Sequence, residues 1–378
     1  MIPYGKQNIN QADIVNVSKV LKSNFLTTGP KIKEFEKKFS NYVGSKHAVV
    51  VSNGTAALHL ACLAAKLQPG EEVITSPLSF AASANCALYC KAKPIFVDVN
   101  QQGLIDPTKI KAQVNSKTKI IIPVHYAGLP CDLSKIKKIA KKHQLIIIED
   151  ACHALGAKYK GTKIGDCTYS DMTVFSFHPV KHITTGEGGM ITTNSKKLYN
   201  QLLLLRTHGI TKDPKQFINK SDGPWYHEMQ KLGFNYRLTD IQASLGISQL
   251  ERIKKFVKKR RSIAGKYDKV LKKIRDIEII QENKDQLGSY HLYPIKVKDL
   301  EVRLKLFNYL ASKGIAPQVH YLPTYLHPYY QKLGYKKGLC SVVEDYYNRE
   351  ISIPIYFGLK INEQNKVIKV INDFYAKK

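Results

Sequence analysis

Five short apolar runs recur along the first half of the chain, separated by stretches long enough to hold a helix, and this rhythm restricts the fold more than any other feature. The runs are His47-Ala48-Val49-Val50-Val51, Glu72-Val73-Ile74-Thr75, Pro94-Ile95-Phe96-Val97-Asp98, Thr118-Lys119-Ile120-Ile121-Ile122-Pro123-Val124 and Leu145-Ile146-Ile147-Ile148-Glu149-Asp150. They are continuous rather than alternating, which is how strands read when both faces are covered. A basic amphipathic segment over 133–143 reads as a helix between the last two runs. Parallel neighbours need crossovers of about a dozen residues, and the intervals between the runs supply them. Thr173-Val174-Phe175-Ser176-Phe177 and Gly189-Met190-Ile191-Thr192-Thr193 continue the series. The expected class is α/β, with a mainly parallel sheet between helices.

Near residue 245 the alternation stops and a long helix is expected. Ser289-Tyr290-His291-Leu292-Tyr293-Pro294-Ile295 then reads as a strand, 303–313 as a helix, 317–330 as a Pro/Tyr-rich loop, and the last stretch as a helix. A chain of 378 residues is long for one ordinary core. The division expected is a large domain over 1–247 and a smaller α+β domain over 248–378. The stretch 207–232, punctuated by Gly209, Pro214, Gly223 and Pro224, reads as a long excursion of the kind that usually carries function.

Fifty-nine lysines and arginines against thirty acids give a net charge of +29. Such a balance can mean nucleic acid or an anionic membrane, but the lysines are spread along the whole length. The densest stretch, Lys254-Lys255-Phe256-Val257-Lys258-Lys259-Arg260-Arg261, has apolar residues at helical spacing around it. It reads as the solvated basic face of an amphipathic helix, so neither nucleic acid nor membrane is expected as a partner. The field does favour anionic ligands such as phosphates. No window holds the 18 or so apolar residues that span a bilayer, and the first residues lack the pattern of a secretion signal, so a cytoplasmic location is expected. The seven cysteines form no C-x-x-C pair; reduced, buried thiols and no metal site are expected.

In open α/β sheets ligands gather at the carboxyl ends of the strands, and four features fall there. Asn53-Gly54-Thr55 joins a strand to a helix; Gly54 permits close backbone approach, and the free N–H groups of the helix start can hold a phosphate, though the same triplet is also an ordinary cap. Asp150 ends the 146–150 run, either as a turn residue or as an acid that keeps a pyridine nitrogen protonated. Ser176-Phe177-His178-Pro179-Val180-Lys181 follows the next strand, and an X-Pro turn there would aim Lys181 into the cleft. A desolvated amine has a lowered pKa and can form a Schiff base, while Ser176 can donate to the phosphate. Phe80 is either core or a stacking surface for a bound ring. Gly186-Glu187-Gly188-Gly189 lacks dinucleotide spacing and reads as a turn.

Four segments taken together are similar to the signatures of the DegT/DnrJ/EryC1/StrS sugar aminotransferases: Asn53-Gly54-Thr55-Ala56-Ala57-Leu58, the run from Glu149-Asp150 through His153 to Ala157, Ser176 through Lys181, and Gly233-Phe234-Asn235-Tyr236-Arg237-Leu238-Thr239-Asp240. Their order and spacing match across essentially the whole chain. Ile2-Pro3-Tyr4-Gly5-Lys6-Gln7, Asn24-Phe25-Leu26-Thr27-Thr28-Gly29-Pro30 and Ile183 through Gly189 resemble the branch of that family that serves pseudaminic acid biosynthesis. The resemblance implies a fold-type-I aminotransferase using pyridoxal 5′-phosphate, a UDP-linked 4-keto-sugar as acceptor and L-glutamate as donor. It also implies a homodimer with shared active sites. Lys181 would bond the cofactor, Asp150 would pair with its ring nitrogen and His153 would lie beside the ring. Gly54, Thr55 and Ser176 would hold the phosphate, joined by Asn235 from the partner subunit. Tyr4, Asn24, Phe25, Leu26, Thr27, His320, Tyr321 and Tyr330 would line the sugar-nucleotide site. Arg237 and Arg349 are both candidates for gripping the donor carboxylate. His182 departs from the family's pattern, which carries proline there.

Overall fold

The computed structural model describes residues 1–376. Its central sheet has seven strands: β1 (His47–Val51), β2 (Glu72–Thr75), β3 (Lys93–Phe96), β4 (Thr118–Ile122), β5 (Ile146–Asp150), β6 (Met172–Ser176) and β7 (Gly189–Thr193). They lie in the order β1-β7-β6-β5-β4-β2-β3. β7 runs antiparallel to both neighbours, and every other pairing is parallel. Six strands therefore present their carboxyl ends at one edge of the sheet.

The apolar runs are continuous because both faces are covered. Val50, Ile74, Ile121, Ile147 and Phe175 belong to one buried cluster. Val49, Val73, Ile120, Ile148 and Val174, their immediate neighbours in sequence, belong to another on the opposite face. Truncating a fully buried aromatic such as Phe175 to alanine would be expected to destabilise by about 3–5 kcal/mol. The helix expected over 133–143 is Leu133–His143, capped by Asp132. β3 and β4 each stop two residues before the apolar run does, and the freed residues turn towards other partners: Asp98 accepts the backbone N–H groups of Val342 and Val343, each at 3.0 Å.

The single long helix expected from near 245 is two. One helix, Asp240–Glu251, starts at a Thr239 capping box, and a second, Ile253–Leu271, follows a break at Arg252. The break coincides with a docking point: the Arg252 guanidinium bonds Asn8 at 2.9 Å and also Asp13 of the N-terminal helix Gln11–Leu21, while Ser248 Oγ donates to the same buried carboxylate at 2.6 Å. Lys254, Lys255 and Lys258 face solvent as expected, but Arg260 does not. It is buried and donates to the carbonyls of Tyr290, His291 and Ile355, tying the helix to the loop behind the site.

Beyond the second helix a small antiparallel sheet forms from β8 (Glu278–Ile279), β9 (Tyr293–Lys296) and β10 (Glu350–Ile353), in that order. The strand expected from Ser289 begins only at Tyr293, because residues 289–292 spend backbone groups on the turn after β4: Ser289 N–H donates to Gly128 O at 3.0 Å. A third apolar cluster joins Ile2 to residues from Ile263 to Ile371. The excursion over 207–232 folds partly on itself, Ile210–Thr211 pairing with Glu228–Met229.

Candidate active site

A cavity of about 790 Å³ opens at the shared carboxyl edge of β1, β2, β5 and β6, within the size range of small-molecule sites. Its floor is made by close backbone approach. Asn53 Oδ1 accepts the Ala56 N–H at 2.8 Å, starting the helix Gly54–Ala64, while the first N–H groups of that helix, at Gly54 and Thr55, lie beyond the reach of the intrahelical ladder. A Cβ at Gly54 would meet Ser176 Cβ at 3.0 Å and Cys152 Sγ at 3.3 Å, and one at Gly189 would meet Asn53 O at 2.4 Å. Glycine at both positions lets the helix start, the end of β6 and the Cys152 turn converge.

Asp150 ends β5 with its carboxylate already oriented. Ser83 Oγ donates to Oδ2 at 2.5 Å and the Cys152 N–H donates to Oδ1 at 3.1 Å. Its neighbour Glu149 turns the other way and is used up structurally, held by His125 at 2.7 Å and Ser170 at 2.5 Å. Lys181 follows a turn closed by its own N–H to His178 O at 2.9 Å, and its Nζ lies 3.4 Å from His291 Nε2. His153 packs on His291 with ring centroids 4.3 Å apart, and its Nε2 lies 3.3 Å from the Tyr321 hydroxyl.

Burial pulls the pKa of the Lys181 amine below the ordinary lysine value; Cys152 and Asp150 act in the opposite sense. Burial also drives His153, His182 and His291 well below the usual histidine range, reinforced at His153 and His291 by the Lys181 charge and at His182 by Arg260. The amine is thus ringed by neutral imidazoles. His182 Nε2 lies 3.1 Å from Ser289 O, so this departure from the family pattern ties the lysine loop to the 289–292 segment.

Tyr4, Gly54, Thr55, Phe80, Asp150, His153, Ser176, Lys181, His320 and Tyr321 all line this cavity. Phe80 stands at its mouth, 64% exposed. Asn24, Phe25, Leu26, Thr27 and Asn235 do not line it within one chain. The 24–27 segment runs along the surface, where Leu26 O accepts the Asp240 N–H at 2.9 Å and Thr27 bridges Thr239. Asn235 bridges Thr207. Tyr330 is 2% exposed within an aromatic cluster with Phe96 and Tyr335, and its hydroxyl donates to Asn85 Oδ1 at 2.6 Å. Arg349 is bonded to Glu278, to Asp345 at 3.2 Å and to Val297 O at 2.8 Å, and Arg237 borders a separate surface pocket. Sequence reasoning passed over Ser83 and His291. Neither carries a local signal, since each reaches the site from 67 and 110 residues away in the chain.

Residues 7–372 match the model of the DegT/DnrJ/EryC1/StrS aminotransferase family. The UDP-4-amino-4,6-dideoxy-N-acetyl-beta-L-altrosamine transaminase of Campylobacter jejuni is 40% identical over 368 residues, covering 96% of this chain and 94% of the relative. The structure of Helicobacter pylori PseC, an aminotransferase involved in the biosynthesis of pseudoaminic acid, superposes with a TM-score of 0.93 at 32% identity over the whole of both chains. Spr1654 of Streptococcus pneumoniae in its PMP form does so with a TM-score of 0.93 at 31% identity, over the whole of both chains. The fold is that of a pyridoxal-phosphate-dependent aminotransferase. The chain belongs to the DegT/DnrJ/EryC1/StrS family of sugar aminotransferases.

The residues present fit that cofactor. The free N–H groups at Gly54 and Thr55 with Ser176 Oγ suit a phosphate, and the pre-oriented Asp150 carboxylate suits a protonated ring nitrogen. His153 Nδ1 is buried without a hydrogen-bond partner, an atom that a bound ring substituent would satisfy.

Proposed function

We propose that this chain aminates C4 of a UDP-linked 4-keto-6-deoxy-N-acetylhexosamine, with L-glutamate as donor, to give UDP-4-amino-4,6-dideoxy-N-acetyl-β-L-altrosamine for pseudaminic acid. The reading rests on Lys181 and Asp150 facing one cavity, and on full-length similarity to relatives whose names carry that product or that pathway. We place the reaction in the cytoplasm, in a homodimer whose sites are shared, because Asn235 and the 24–27 segment lie outside the cavity of their own chain.

When bound, pyridoxal phosphate supplies an aldehyde that captures an amine and a ring that delocalises the electron pair left when a neighbouring C–H proton departs. Gly54, Thr55 and Ser176 would hold its phosphate, and Asp150, fixed by Ser83 and the Cys152 N–H, would keep the ring nitrogen cationic. Lys181 moves the protons. Burial favours its uncharged form, so the amine takes a proton from the α-carbon of glutamate and, in the second half of the cycle, delivers one to C4 of the sugar. His153, neutral and packed at a tilt against His291, would lie beside the ring without competing for that proton. Tyr4, His320 and Tyr321, which line the same cavity, would border the sugar.

Purified protein incubated with glutamate and a panel of UDP- and other nucleotide-linked 4-keto-sugars decides the matter. The expected result is the amino-altrosamine product, identified by NMR. Turnover of a different nucleotide-linked keto-sugar only would replace the proposed substrate, and no amination of any keto-sugar would end the reading.

A further inference from the structure

Behind His320 runs a buried hydrogen-bond chain that the reaction as described does not use. His320 Nδ1 lies 2.9 Å from Ser352 Oγ, and Ser352 Oγ donates to Glu350 Oε1 at 2.5 Å. The other carboxylate oxygen, Oε2, accepts the backbone N–H of His320 itself at 2.8 Å. Ser352 and Glu350 sit on β10 and are fully buried, and β10 is locked to the loop by reciprocal bonds between Ser352 and Gln318, at 2.8 and 3.1 Å. His320 lines the cavity, and no described residue bonds its Nε2.

A serine hydroxyl has one proton. If Ser352 gives it to the Glu350 carboxylate, which can only accept, Ser352 has only lone pairs to offer Nδ1. Nδ1 must then carry the imidazole proton, and Nε2 faces the cavity as a bare acceptor. We propose that Glu350, acting through Ser352, fixes the tautomer of His320 so that Nε2 accepts a hydrogen bond from a hydroxyl or amide N–H of the bound keto-sugar. This rests on the proposed function only for the identity of the ligand; the tautomer is a property of the chain alone. Glu350 and Ser352 are positioning residues.

Two features support the assignment. Burial lowers His320 to about 3, so the ring is neutral across the working range and the choice of tautomer is real. The carboxylate has a rigid seat, because the His320 N–H occupies Oε2. Burial raises Glu350 to about 8, with the hydrogen bonds from Ser352 and the His320 N–H, and then Arg303, acting against it. The other titratable groups around it are Lys296 across the strand pair, the phenols of Tyr126, Tyr321 and Tyr346, and His320 itself. Below that value the acid form can donate to Ser352 and reverse the relay, so the tautomer and the kinetics are both read above it, where Glu350 is the carboxylate.

Glu350→Gln inverts the relay at nearly constant volume. Its carbonyl must stay on the His320 N–H, which turns the amide NH₂ towards Ser352. Ser352 then accepts from the amide, donates to Nδ1, and leaves the proton on Nε2. Long-range ¹H–¹⁵N NMR of histidine-labelled full-length protein reads the tautomer directly, with the His320 signals identified by their loss in His320→Gln. The expected result is the Nδ1–H form in the wild type and the Nε2–H form in Glu350→Gln. Ser352→Ala, which removes the link, should give a mixture. An unchanged tautomer in Glu350→Gln, or a single wild-type tautomer in Ser352→Ala, would overturn the proposal. In kinetics Glu350→Gln should raise KM for the keto-sugar about tenfold, the worth of one hydrogen bond. The half-reaction with the amino donor, followed by absorbance, should not change; a slowed donor half-reaction at unchanged KM would instead assign Glu350 to the cofactor end. Because the NMR is recorded without substrate, the tautomer result stands even where the sugar assignment fails.

Discussion

At the cofactor end of the cavity every group hangs from a strand end or from a turn directly after one, and its partners are in place within a single chain: Ser83 on Asp150, His291 beside Lys181, two glycines at the helix start. At the end proposed for the sugar the groups come from loops. His320 and Tyr321 reach in from the 317–330 connection, whereas Asn235 and residues 24–27 belong to surface segments that close nothing in their own chain. A rigid end suits fixed chemistry, and an end built from loops, completed on the proposed reading by a second subunit, leaves room for different sugars. Substitutions should separate along the same line, with kcat falling at the rigid end and KM changing at the other.

The largest effect should come from Lys181→Ala, which removes the proton carrier. Turnover should drop at least about 1000-fold, while cofactor retention, measured by absorbance after gel filtration, persists. The same position carries a stability signature. The folded-state pKa of Lys181 is lowered by burial, so the unfolded chain binds that proton more tightly. Stability is then least below the folded value and is regained as pH rises towards the unfolded lysine value. Cofactor-free Lys181→Met should accordingly melt above the wild type near neutrality, with the gap closing at alkaline pH. A gap independent of pH would show that the amine is not desolvated. Asp150→Asn, which keeps the shape and the Ser83 contact but removes the charge, should lower kcat by about 100-fold or more with little change in sugar KM.

Next in size is a test of the shared site. If Asn235 completes the partner's cavity, mixing Lys181→Ala chains with Asn235→Ala chains creates dimers in which one of the two sites has both residues. Activity should rise well above that of either variant, to roughly a quarter of the wild-type level for random pairing. Activity no higher than the average of the two parents would mean that each chain serves itself.

Legibility in the sequence follows the same division. β1 to β7 were readable because strands covered on both faces leave uninterrupted apolar runs, and Asp150 and Lys181 because a strand's end fixes where the next side chain goes. The break at Arg252 was hidden, since the apolar spacing continues through it and the contact it coincides with, to Asp13, lies 239 residues earlier in the chain. Ser83 and His291 were equally invisible: each acts through one long-range contact that no local pattern encodes. Tyr330 marks the opposite failure. The family resemblance implied a place for it on the sugar-nucleotide wall, but the fold puts that ring in the core.

Tyr330→Phe should therefore give the smallest effect, and on a different observable from the one the sequence suggested. The hydroxyl it removes is bonded to Asn85 on the helix Ala82–Tyr89, the same helix whose Ser83 orients Asp150. Losing one buried hydrogen bond while keeping the ring should cost about 1 kcal/mol, visible as a small drop in the urea midpoint with an unchanged slope. Sugar KM should not change, because Tyr330 does not border the cavity. A several-fold rise in KM without loss of stability would mean that the loop rearranges to bring this ring to the sugar. A fall in kcat alone would mean that the helix passes the lost contact on to Asp150 through Ser83. Only the first result would return Tyr330 to the substrate wall; the second would make it a distant brace of the cofactor end.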